Sequence, residues 1–348
     1  MSIKRVLLHA CKWIGLFAIA RRMTRGYLRV LCYHGFALED EHLFRPNLFM
    51  TPDLFEKRLK YLQRQRHRVL DLHDAVERLG RGALPPDSVV ITIDDGFFGV
   101  YKTALPLLQK YGFPATLYVT TYYVKHPNPI FRIAAQYIFW KTSRQSLDLS
   151  QLSPALPSRA EIAEAAGERA LWRLIEYGEN QPDESDRYRL LVSLAEILDV
   201  DFTRIVESRI CSLVRGEEIR SLEEGKVSVQ LHTHRHRMPD TPAEITDEIE
   251  RNREVLQPWT GSELVHFCYP SGVWSREHWP VLAQLGVKTA TTCVPGLNRP
   301  GDSPLALRRF LDRQDCADIE FEAEVSGFKD LVRMLAGSIR ATREGARS

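Results

Sequence analysis

The sequence has no pair of cysteines spaced as CxxC and no short cysteine spacing that repeats. Its six cysteines are scattered along the chain: Cys11, Cys32, Cys211, Cys268, Cys293 and Cys316. This absence argues against zinc ribbons and against a disulfide framework, since both depend on such spacings. Several of these residues lie in apolar runs, where a free thiol behaves as a small hydrophobe. Such usage fits a reducing compartment, and we expect a cytoplasmic protein.

An excess of charge of one sign is also absent. The 47 Lys and Arg residues nearly balance the 45 Asp and Glu residues, which leaves a formal charge of +2. Because no basic field covers the whole chain, we expect no nucleic-acid partner. The hydrophobic share of 44% and the charged share of 26% are those of an ordinary soluble globular protein.

The chain lacks a run of about 20 apolar residues, the length that a membrane-spanning helix needs. Residues 1–20 combine early basic residues with an apolar stretch and small residues at its end, which superficially resembles a secretory signal. His9 and Lys12 interrupt that stretch, and further basic residues follow it. The pattern therefore predicts an N-terminal amphipathic helix, residues 1–27, that lies on the protein body or on a membrane surface. In the second case the protein would be peripheral at the inner membrane face.

From residue 28 onward, apolar runs typical of strands alternate with amphipathic helical segments. Strands are predicted over residues 30–33, 68–72, 88–93, 115–120, 227–231, 265–269 and 287–291. Helices predicted between them include residues 101–111, 241–256 and 276–285. Repeated βα units imply a parallel sheet, either closed or open. One α/β barrel domain over residues 28–348, with one insertion, accounts for the length of the chain.

The strand pattern fades between residues 124 and 224, where the sequence is mostly helical and polar. We interpret this segment as a helical insertion and not as a second catalytic domain. It separates two motifs that the chemistry needs together, so we expect it to lean over the face of the barrel that carries the active site.

Two adjacent carboxylates, Asp94 and Asp95, follow the apolar strand predicted over residues 88–93. In parallel α/β folds, this end of a strand carries the active site. Like charges so close raise one pKa sharply unless a cation shares the site, so the pair indicates one metal ligand and one base. The alternative is a plain turn in which Gly96 supplies a positive φ.

A second cluster of polar residues, His232-Thr233-His234-Arg235-His236, follows another apolar strand. On a helical turn, His232 and His236 would share a face while His234 points elsewhere, and this spacing suits two imidazoles on one metal ion. Two histidines and one carboxylate leave positions open for water and substrate, as catalytic zinc sites do. The alternative is a histidine-rich surface loop. The histidine cluster and the aspartate pair both follow apolar strands of the same fold pattern, and this coincidence favours a shared site.

Four segments together carry a family resemblance. They are Thr92-Ile93-Asp94-Asp95-Gly96, Phe113-Pro114-Ala115-Thr116-Leu117-Tyr118-Val119, His232-Thr233-x-x-His236 and Phe267-Cys268-Tyr269-Pro270-Ser271-Gly272. These segments resemble the polysaccharide deacetylases, carbohydrate esterase family 4, which contain the nodulation-factor deacetylase homology domain. The resemblance covers roughly residues 28–123 and 226–311. It implies a distorted (β/α)7 barrel, with the helical insertion between the first and second metal motifs.

The resemblance also implies a hydrolase that removes N-acetyl groups from the amino sugars of a polysaccharide or glycan precursor. Asp95, His232 and His236 would hold one divalent metal ion, with zinc expected and cobalt, nickel or manganese as alternatives. A metal-bound water would attack the acetyl carbonyl, and Asp94 would accept its proton as general base. The backbone N–H of Ser271 would stabilise the oxyanion.

The third motif departs from the family pattern. Family members often carry an arginine and a tyrosine where this chain has Cys268 and Ser271. That arginine normally orients the catalytic base, so we expect Arg309 to replace it. The alternative is that Arg309 is an ordinary surface arginine.

The family's late histidine, its usual general acid, is also missing, because no histidine follows His278. His34, at the end of the first predicted strand, resembles a residue of those exopolysaccharide deacetylases whose motif order is circularly permuted. The resemblance therefore makes His34 the general acid. The alternative is a capping or packing histidine.

An N-acetylated glycan is accordingly the expected partner, and two other functions stay open. An amidohydrolase acting on a small amide, imide or ureide would keep the metal and the barrel, and an insertion that roofs the site would favour it. A non-catalytic carbohydrate-binding homologue is conceivable because the third motif is eroded. Intact Asp94, Asp95, His232 and His236 count against it, since a binding protein has no need of the base.

Overall fold

The computed structural model describes the backbone of residues 3–345 and the side chains of residues 3–336. Its strands are β1 (Arg29–Tyr33), β2 (Gly35–Phe36), β3 (Phe49–Met50), β4 (Arg68–Val69), β5 (Ser88–Ile93), β6 (Ala115–Val119), β7 (Ser146–Asp148), β8 (Arg159–Glu161), β9 (Val227–Leu231), β10 (His266–Cys268), β11 (Thr289–Thr291) and β12 (Phe310–Leu311).

The α-helices are α1 (Ile3–Trp13), α2 (Leu16–Met23), α3 (Glu41–Phe44), α4 (Pro52–Arg64), α5 (Leu72–Gly80), α6 (Leu105–Tyr111), α7 (Tyr122–Lys125), α8 (Phe131–Lys141), α9 (Ala165–Glu179), α10 (Glu184–Leu198), α11 (Phe202–Ser208), α12 (Gly216–Glu224), α13 (Pro242–Leu256), α14 (Trp279–Gln284), α15 (Asp318–Val325) and α16 (Phe328–Gly345). A π-helical turn, Val100–Ala104, precedes α6. Short 3₁₀ turns occur at Pro270–Gly272, Arg276–His278 and Pro304–Ala306.

Seven of these strands form a curved parallel sheet in the order β11–β10–β9–β6–β5–β1–β12. The segment before β12 brings the two edges of this sheet together. The N–H of Leu307 donates to the carbonyl oxygen of Ala290 at 2.9 Å, and the N–H of Thr292 donates to Leu307 at 2.9 Å. Three residues further on, β12 pairs with β1. The distorted seven-stranded barrel is thereby confirmed, whereas β4 pairs only with the start of β5, outside the ring.

The barrel strands are buried on both faces, which explains why they are continuous apolar runs. All six residues of β5 are buried. Val90 belongs to a cluster that also contains residues of β1, β6 and β10, and such distant strands meet only inside the barrel. Its neighbour Ile91 packs in the larger core between the sheet and the surrounding helices. Alternate residues therefore fill two cores, and the two polar side chains of β5, Ser88 and Thr92, donate hydrogen bonds to backbone carbonyl oxygens.

The segment between β6 and β9 is a mostly helical insertion with its own hydrophobic core, built chiefly from α8, α9 and α10. It also contains the antiparallel hairpin β7–β8, which the sequence did not predict. Helix α12 lies within the predicted insertion, yet its Ile219 and Leu222 pack in the barrel core. The insertion contacts loops that follow barrel strands: the N–H of Phe98 donates to Ser212, and the hydroxyl of Tyr137 donates to Asp40.

The N-terminus forms two helices where the sequence predicted one. Gly15, between α1 and α2, has φ 83, a left-handed conformation that interrupts the helix. The two helices form a hairpin that packs against α15 and α16. None of the described helices has the length and hydrophobicity needed to cross a bilayer.

Candidate active site

The residues singled out in the sequence come together where barrel strands end. His34 follows β1, Asp94 and Asp95 follow β5, and His232 follows β9. These strands are all parallel, so their carboxyl ends lie at the same end of the barrel. Arg309 reaches this end from the residue directly before β12.

Asp95, His232 and His236 converge on one point. The Oδ1 atom of Asp95 lies 3.3 Å from Nε2 of His232 and 3.2 Å from Nε2 of His236. Two ligands of a tetrahedral zinc ion, each about 2.0–2.1 Å from the metal, are about 3.3 Å apart. The three donor atoms therefore fit one divalent cation of the zinc type. His232 is buried, whereas the side chain of His236 is 40% exposed, so the site opens to solvent on that side.

The histidine segment is a loop and not the helical turn that the sequence predicted. Residues 232–240 contain no helix, and two of them, Thr233 and His236, have positive φ angles of 62° and 54°. The reversals of the backbone at these residues bring the two imidazoles within 4.9 Å of each other, measured between ring centroids. The i,i+4 spacing thus predicted that the two imidazoles lie close together, but the helical turn that it also predicted is absent.

His234, in the middle of this loop, points away from the donor atoms of Asp95, His232 and His236. It is buried, and its Nδ1 lies 3.0 Å from the hydroxyl oxygen of Thr121. Its carbonyl oxygen accepts hydrogen bonds from the backbone N–H groups of Thr121 and Tyr122. His234 therefore ties the loop to the segment that follows β6.

Two polar residues of α13 hold the loop from beneath. The side-chain oxygen of Asn252 accepts the N–H of His232 at 2.8 Å. A carboxylate oxygen of Glu248 accepts the N–H of Arg235 at 2.8 Å, and Glu248 also pairs with Arg237. Both residues are buried, one helical turn apart. The sequence predicted this helix but missed their role; the available signal was two polar residues within its buried apolar stripe.

The ring of His232 is oriented by the strand that carries the third motif. Its Nδ1 lies 2.8 Å from the carbonyl oxygen of Cys268. A carbonyl accepts hydrogen bonds and cannot donate, so Nδ1 carries the proton and Nε2 is directed at Asp95. Burial opposes the charged imidazole, but the hydrogen bond with Asp95 and the nearby carboxylates raise the pKa of His232 above its ordinary value. His232 is in turn one of the groups that hold the pKa of Asp95 well below the usual range, against the effect of burial.

Asp94 is held by Arg309 in a bidentate ion pair. Nη1 of Arg309 donates to Oδ1 at 2.7 Å, and Nη2 donates to Oδ2 at 2.8 Å. Arg309 is fully buried and also donates to the carbonyl oxygen of Thr292 and to the hydroxyl of Thr92. Burial would raise the pKa of Asp94, but the charge and hydrogen bonds of Arg309 outweigh it and lower the pKa to about 2. Asp94 is therefore ionised at neutral pH.

Two cysteines lie against the same carboxylate, and neither was predicted to contact Asp94. Cys268 Sγ is 3.4 Å and Cys32 Sγ is 3.5 Å from Oδ2 of Asp94. Both thiols are buried, and burial raises the pKa of each above its ordinary value, so both stay protonated as weak donors. Cys268 stands where the family often has arginine, and Arg309 contacts its sulfur at 3.2 Å. Because both cysteines lie in apolar strands, β1 and β10, the sequence did not predict their contact with Asp94.

His34 lies at the border of the site beside Asp94, whereas Ser271 lies in an exposed turn. Nε2 of His34 is 3.9 Å from Oδ2 of Asp94, and its side chain is 20% exposed. His34 therefore borders the site and remains in contact with solvent. Ser271 lies exposed in the turn after β10, with a left-handed φ of 55°. Its role as a backbone donor remains a prediction.

Comparison with known families matches the chain to the model described as polysaccharide deacetylase, over residues 81–166 and 202–290. The matched segments cover about half of the chain. The first contains Asp94 and Asp95, and the second contains His232 and His236.

Among curated proteins, a poly-beta-1,6-N-acetyl-D-glucosamine N-deacetylase of Staphylococcus aureus is 32% identical over 82 residues. The match covers 24% of this chain and 28% of the length of that relative.

Solved structures match over most of the chain. The Streptococcus pyogenes deacetylase PplD, in complex with acetate, aligns with a TM-score of 0.57 and 17% identity, covering 86% of this chain and 98% of its own. IcaB from Ammonifex degensii aligns with a TM-score of 0.54 and 19% identity, covering 86% of this chain and 97% of its own. At these identities the matches establish the fold.

Proposed function

Because the chain belongs to the polysaccharide deacetylase family, we propose that it removes N-acetyl groups from the amino sugars of a polysaccharide or glycan precursor. The observation that carries the proposal is the convergence of Asp95, His232 and His236 beside an Asp94 that Arg309 holds. A metal-binding triad next to a separate, ionised carboxylate matches the needs of amide hydrolysis.

Asp95, His232 and His236 would hold one divalent ion. The donor set of one carboxylate and two imidazoles favours zinc, with cobalt, nickel and manganese as alternatives. When bound, such an ion lowers the pKa of water and polarises a carbonyl oxygen. The hydrogen bond from His232 to Cys268 supports this assignment, because it fixes the ring with Nε2 directed at the site.

Asp94 would act as the general base. Water adds to the carbonyl carbon of the acetamide, and Asp94 accepts the proton that this water releases. Arg309 fixes the carboxylate through both oxygens and keeps it ionised, so the base is available whenever substrate binds. This is the role that the resemblance gives to an arginine of the third motif. In this chain the guanidinium would reach the same carboxylate from the other edge of the barrel sheet.

His34 would act as the general acid. The carbon–nitrogen bond breaks as the amide nitrogen takes a proton from the imidazole, and the products are acetate and the free amino sugar. Partial exposure of His34 supports the role, because an acid must contact both substrate and the solvent that restores its proton. The backbone N–H of Ser271 would donate to the oxyanion, as the family resemblance implies.

The exposure of the site favours a glycan over a small amide. The imidazole of His236 is 40% exposed, and His34 also reaches solvent. An amidohydrolase for small ureides or imides would be favoured by a roofed pocket instead. An accessible edge leaves room for the sugars that flank the reacting residue in a longer chain.

The proposal is tested by measuring acetate release from a panel of N-acetylated glycans, with and without a chelator. We expect release from at least one β-linked N-acetylglucosamine oligomer, loss of release with chelator, and recovery when zinc is added back. Release only from small amides or ureides would support the amidohydrolase alternative. Glycan binding without release, in protein that contains metal, would identify a carbohydrate-binding homologue.

A cytoplasmic location is part of the same proposal. All six cysteines are free thiols, and Cys32, Cys211 and Cys268 are buried. Free buried thiols are stable in a reducing compartment.

A further inference from the structure

The N-terminal helical hairpin, residues 3–25, is anchored to the protein through one face only. Leu8 and Phe17 on this face pack with Ile319 and Ala323 of α15 in a small core. Ion pairs reinforce the contact, among them Lys4 with Glu320 at 2.9 Å. Because the inner face has its own core, the outer face is not needed to hold the hairpin in place.

The outer face of the hairpin is apolar and exposed. Its large apolar side chains are Ile3, Val6, Leu7, Trp13, Ile14, Ile19 and Met23. These are seven of the fifteen large apolar side chains that are exposed in the described part of the chain, so the clustering is not the usual scatter of single surface hydrophobes. Trp13 is 88% exposed. An indole at such a position is typical of the boundary between a membrane and water.

The same segment carries positive charge and no negative charge. The first acidic residue in the sequence is Glu39, whereas residues 3–25 contain six lysines and arginines. Arg22 and Arg25 are exposed, and neither forms an ion pair with a described carboxylate. A cleft of about 780 Å³ beside the hairpin is lined by Lys60 and Arg64 of α4, but Lys60 pairs with Glu56 and the cleft also contains Asp318 and Glu322, so the cleft carries charge of both signs.

From these observations we propose that the outer face of the hairpin binds the surface of an anionic lipid bilayer. An amphipathic helix with an apolar face and flanking cations lies in the interface of such a bilayer. Cations that pair with no described carboxylate, here Arg22 and Arg25, add to the attraction. A second copy of the chain fits less well, because docking of two such faces would bring two sets of unpaired cations together. The hairpin lies on the membrane without crossing it, since neither helix reaches the length of a span.

The test is co-sedimentation of the full-length protein with lipid vesicles. One vesicle preparation is pure phosphatidylcholine, and the other contains roughly one third phosphatidylglycerol, to supply anionic charge. We expect binding to the anionic vesicles, weakening as salt is raised. Leu7→Ser combined with Trp13→Ser should weaken that binding at least about tenfold, because it removes two apolar anchors.

Two further variants separate charge and nonspecific effects. Arg22→Gln combined with Arg25→Gln should reduce the preference for anionic over neutral vesicles, since both cations are free to meet lipid headgroups. Trp172→Ser is the matched control, because this tryptophan is 44% exposed but lies on α9 of the insertion. It should bind vesicles as the wild type does. Circular dichroism would verify that each variant is folded.

Three results would overturn the proposal. In the first, the wild type fails to sediment with anionic vesicles at low salt. In the second, the Trp172 control loses binding as fully as the Leu7 and Trp13 double variant. In the third, light scattering reveals a dimer that the double substitution dissociates, with no vesicle binding, and the face is then a self-association surface. Each outcome is independent of deacetylase activity.

Discussion

Asp94 and Asp95 are neighbours in sequence, yet they face different partners. Asp95 has φ 71°, a left-handed conformation that is uncommon for residues other than glycine. Gly96 follows with φ 89°, and a Cβ there would lie 3.0 Å from the side chain of Val119. The strained turn directs Asp94 to Arg309 and Asp95 to the two imidazoles. Such strain at the end of a buried strand is typical of functional sites.

His34, the proposed general acid, is the residue whose role is most open to direct test. We predict that His34→Ala leaves folding and metal content near wild type but lowers turnover by about 10²–10⁴-fold, the range for loss of an acid–base group. The alkaline limb of the pH profile of kcat/KM should flatten or move, because that limb reports the group that must be protonated. Initial rates of acetate release, measured over a series of pH values, would show both effects. An active variant with an unchanged alkaline limb would mean that another group protonates the amine.

The sequence was sufficient to bring Asp94, Asp95, His232 and His236 into one candidate site, since these residues stand in motifs that follow apolar strands. Arg309 was expected only because the third motif lacks an arginine, and its complete burial rules out the surface alternative. The thiols of Cys32 and Cys268 were not predicted as neighbours of Asp94. Each cysteine is embedded in an apolar strand, and nothing local in the sequence distinguishes a packing thiol from one that contacts a carboxylate.

At the scale of elements, the histidine loop depends on α13. The loop has two left-handed residues and no regular hydrogen bonding of its own, so its backbone donors are satisfied by Glu248 and Asn252. The sequence predicted the helix over residues 241–256, close to its observed bounds Pro242–Leu256. It could not predict the loop conformation, because left-handed threonine and histidine residues are stabilised by tertiary contacts and not by local propensity.

We predict that Asn252→Ala weakens zinc binding about 10–100-fold, the range for loss of a group that orients a metal ligand. The substitution leaves the buried N–H of His232 without its acceptor, which also costs about 1–3 kcal/mol of folding free energy. Glu254→Gln, an exposed position on the same helix, is the control and should bind zinc as the wild type does. Competition with a chromophoric chelator measures the affinities. Equal affinity in Asn252→Ala and the control would show that α13 does not position the ligand.

The barrel strands illustrate where sequence patterns are reliable. The bounds of β5 and β9 coincide with the predicted runs, because long strands buried on both faces give continuous apolar sequence. The strand predicted over residues 68–72 forms only two residues, outside the ring. Its place in the ring is taken by β12, which was not predicted. The strand β12 consists only of Phe310 and Leu311, which follow two arginines and are too few to form an apolar run. They become a strand only because the sheet closes around Leu307.

On the scale of the whole molecule, buried neutral histidines make the fold sensitive to acid. Burial, together with the charges of Arg21 and Arg29, lowers the pKa of His67 to about 4. In the unfolded chain this pKa returns to about 6.5. Between these two values the unfolded state binds more protons than the folded state, so the free energy of unfolding falls as pH falls. Over this window His67 alone accounts for a loss of about 3 kcal/mol.

We therefore predict that His67→Gln flattens the dependence of stability on pH. Between about pH 6.5 and pH 4, the free energy of unfolding of the variant should fall by about 3 kcal/mol less than that of the wild type. Urea unfolding at a series of pH values, with chelator present so that metal release does not contribute, provides the measurement. Glutamine can still donate to the carbonyl oxygen of Asp87, which His67 contacts. Parallel curves for the two proteins would place the acid sensitivity elsewhere in the molecule.

In the proposed mechanism, Asp95 binds the metal while its neighbour Asp94 acts as the base. Zinc content and kcat, measured on the same preparations of wild type, Asp94→Asn and Asp95→Asn, distinguish the two roles. We expect about one zinc per chain in the wild type and in Asp94→Asn, with kcat of that variant lowered at least about 10²-fold because the base is lost. Asp95→Asn should lose most of its zinc. Loss of zinc from Asp94→Asn, or full occupancy in Asp95→Asn, would contradict the assignment of both residues.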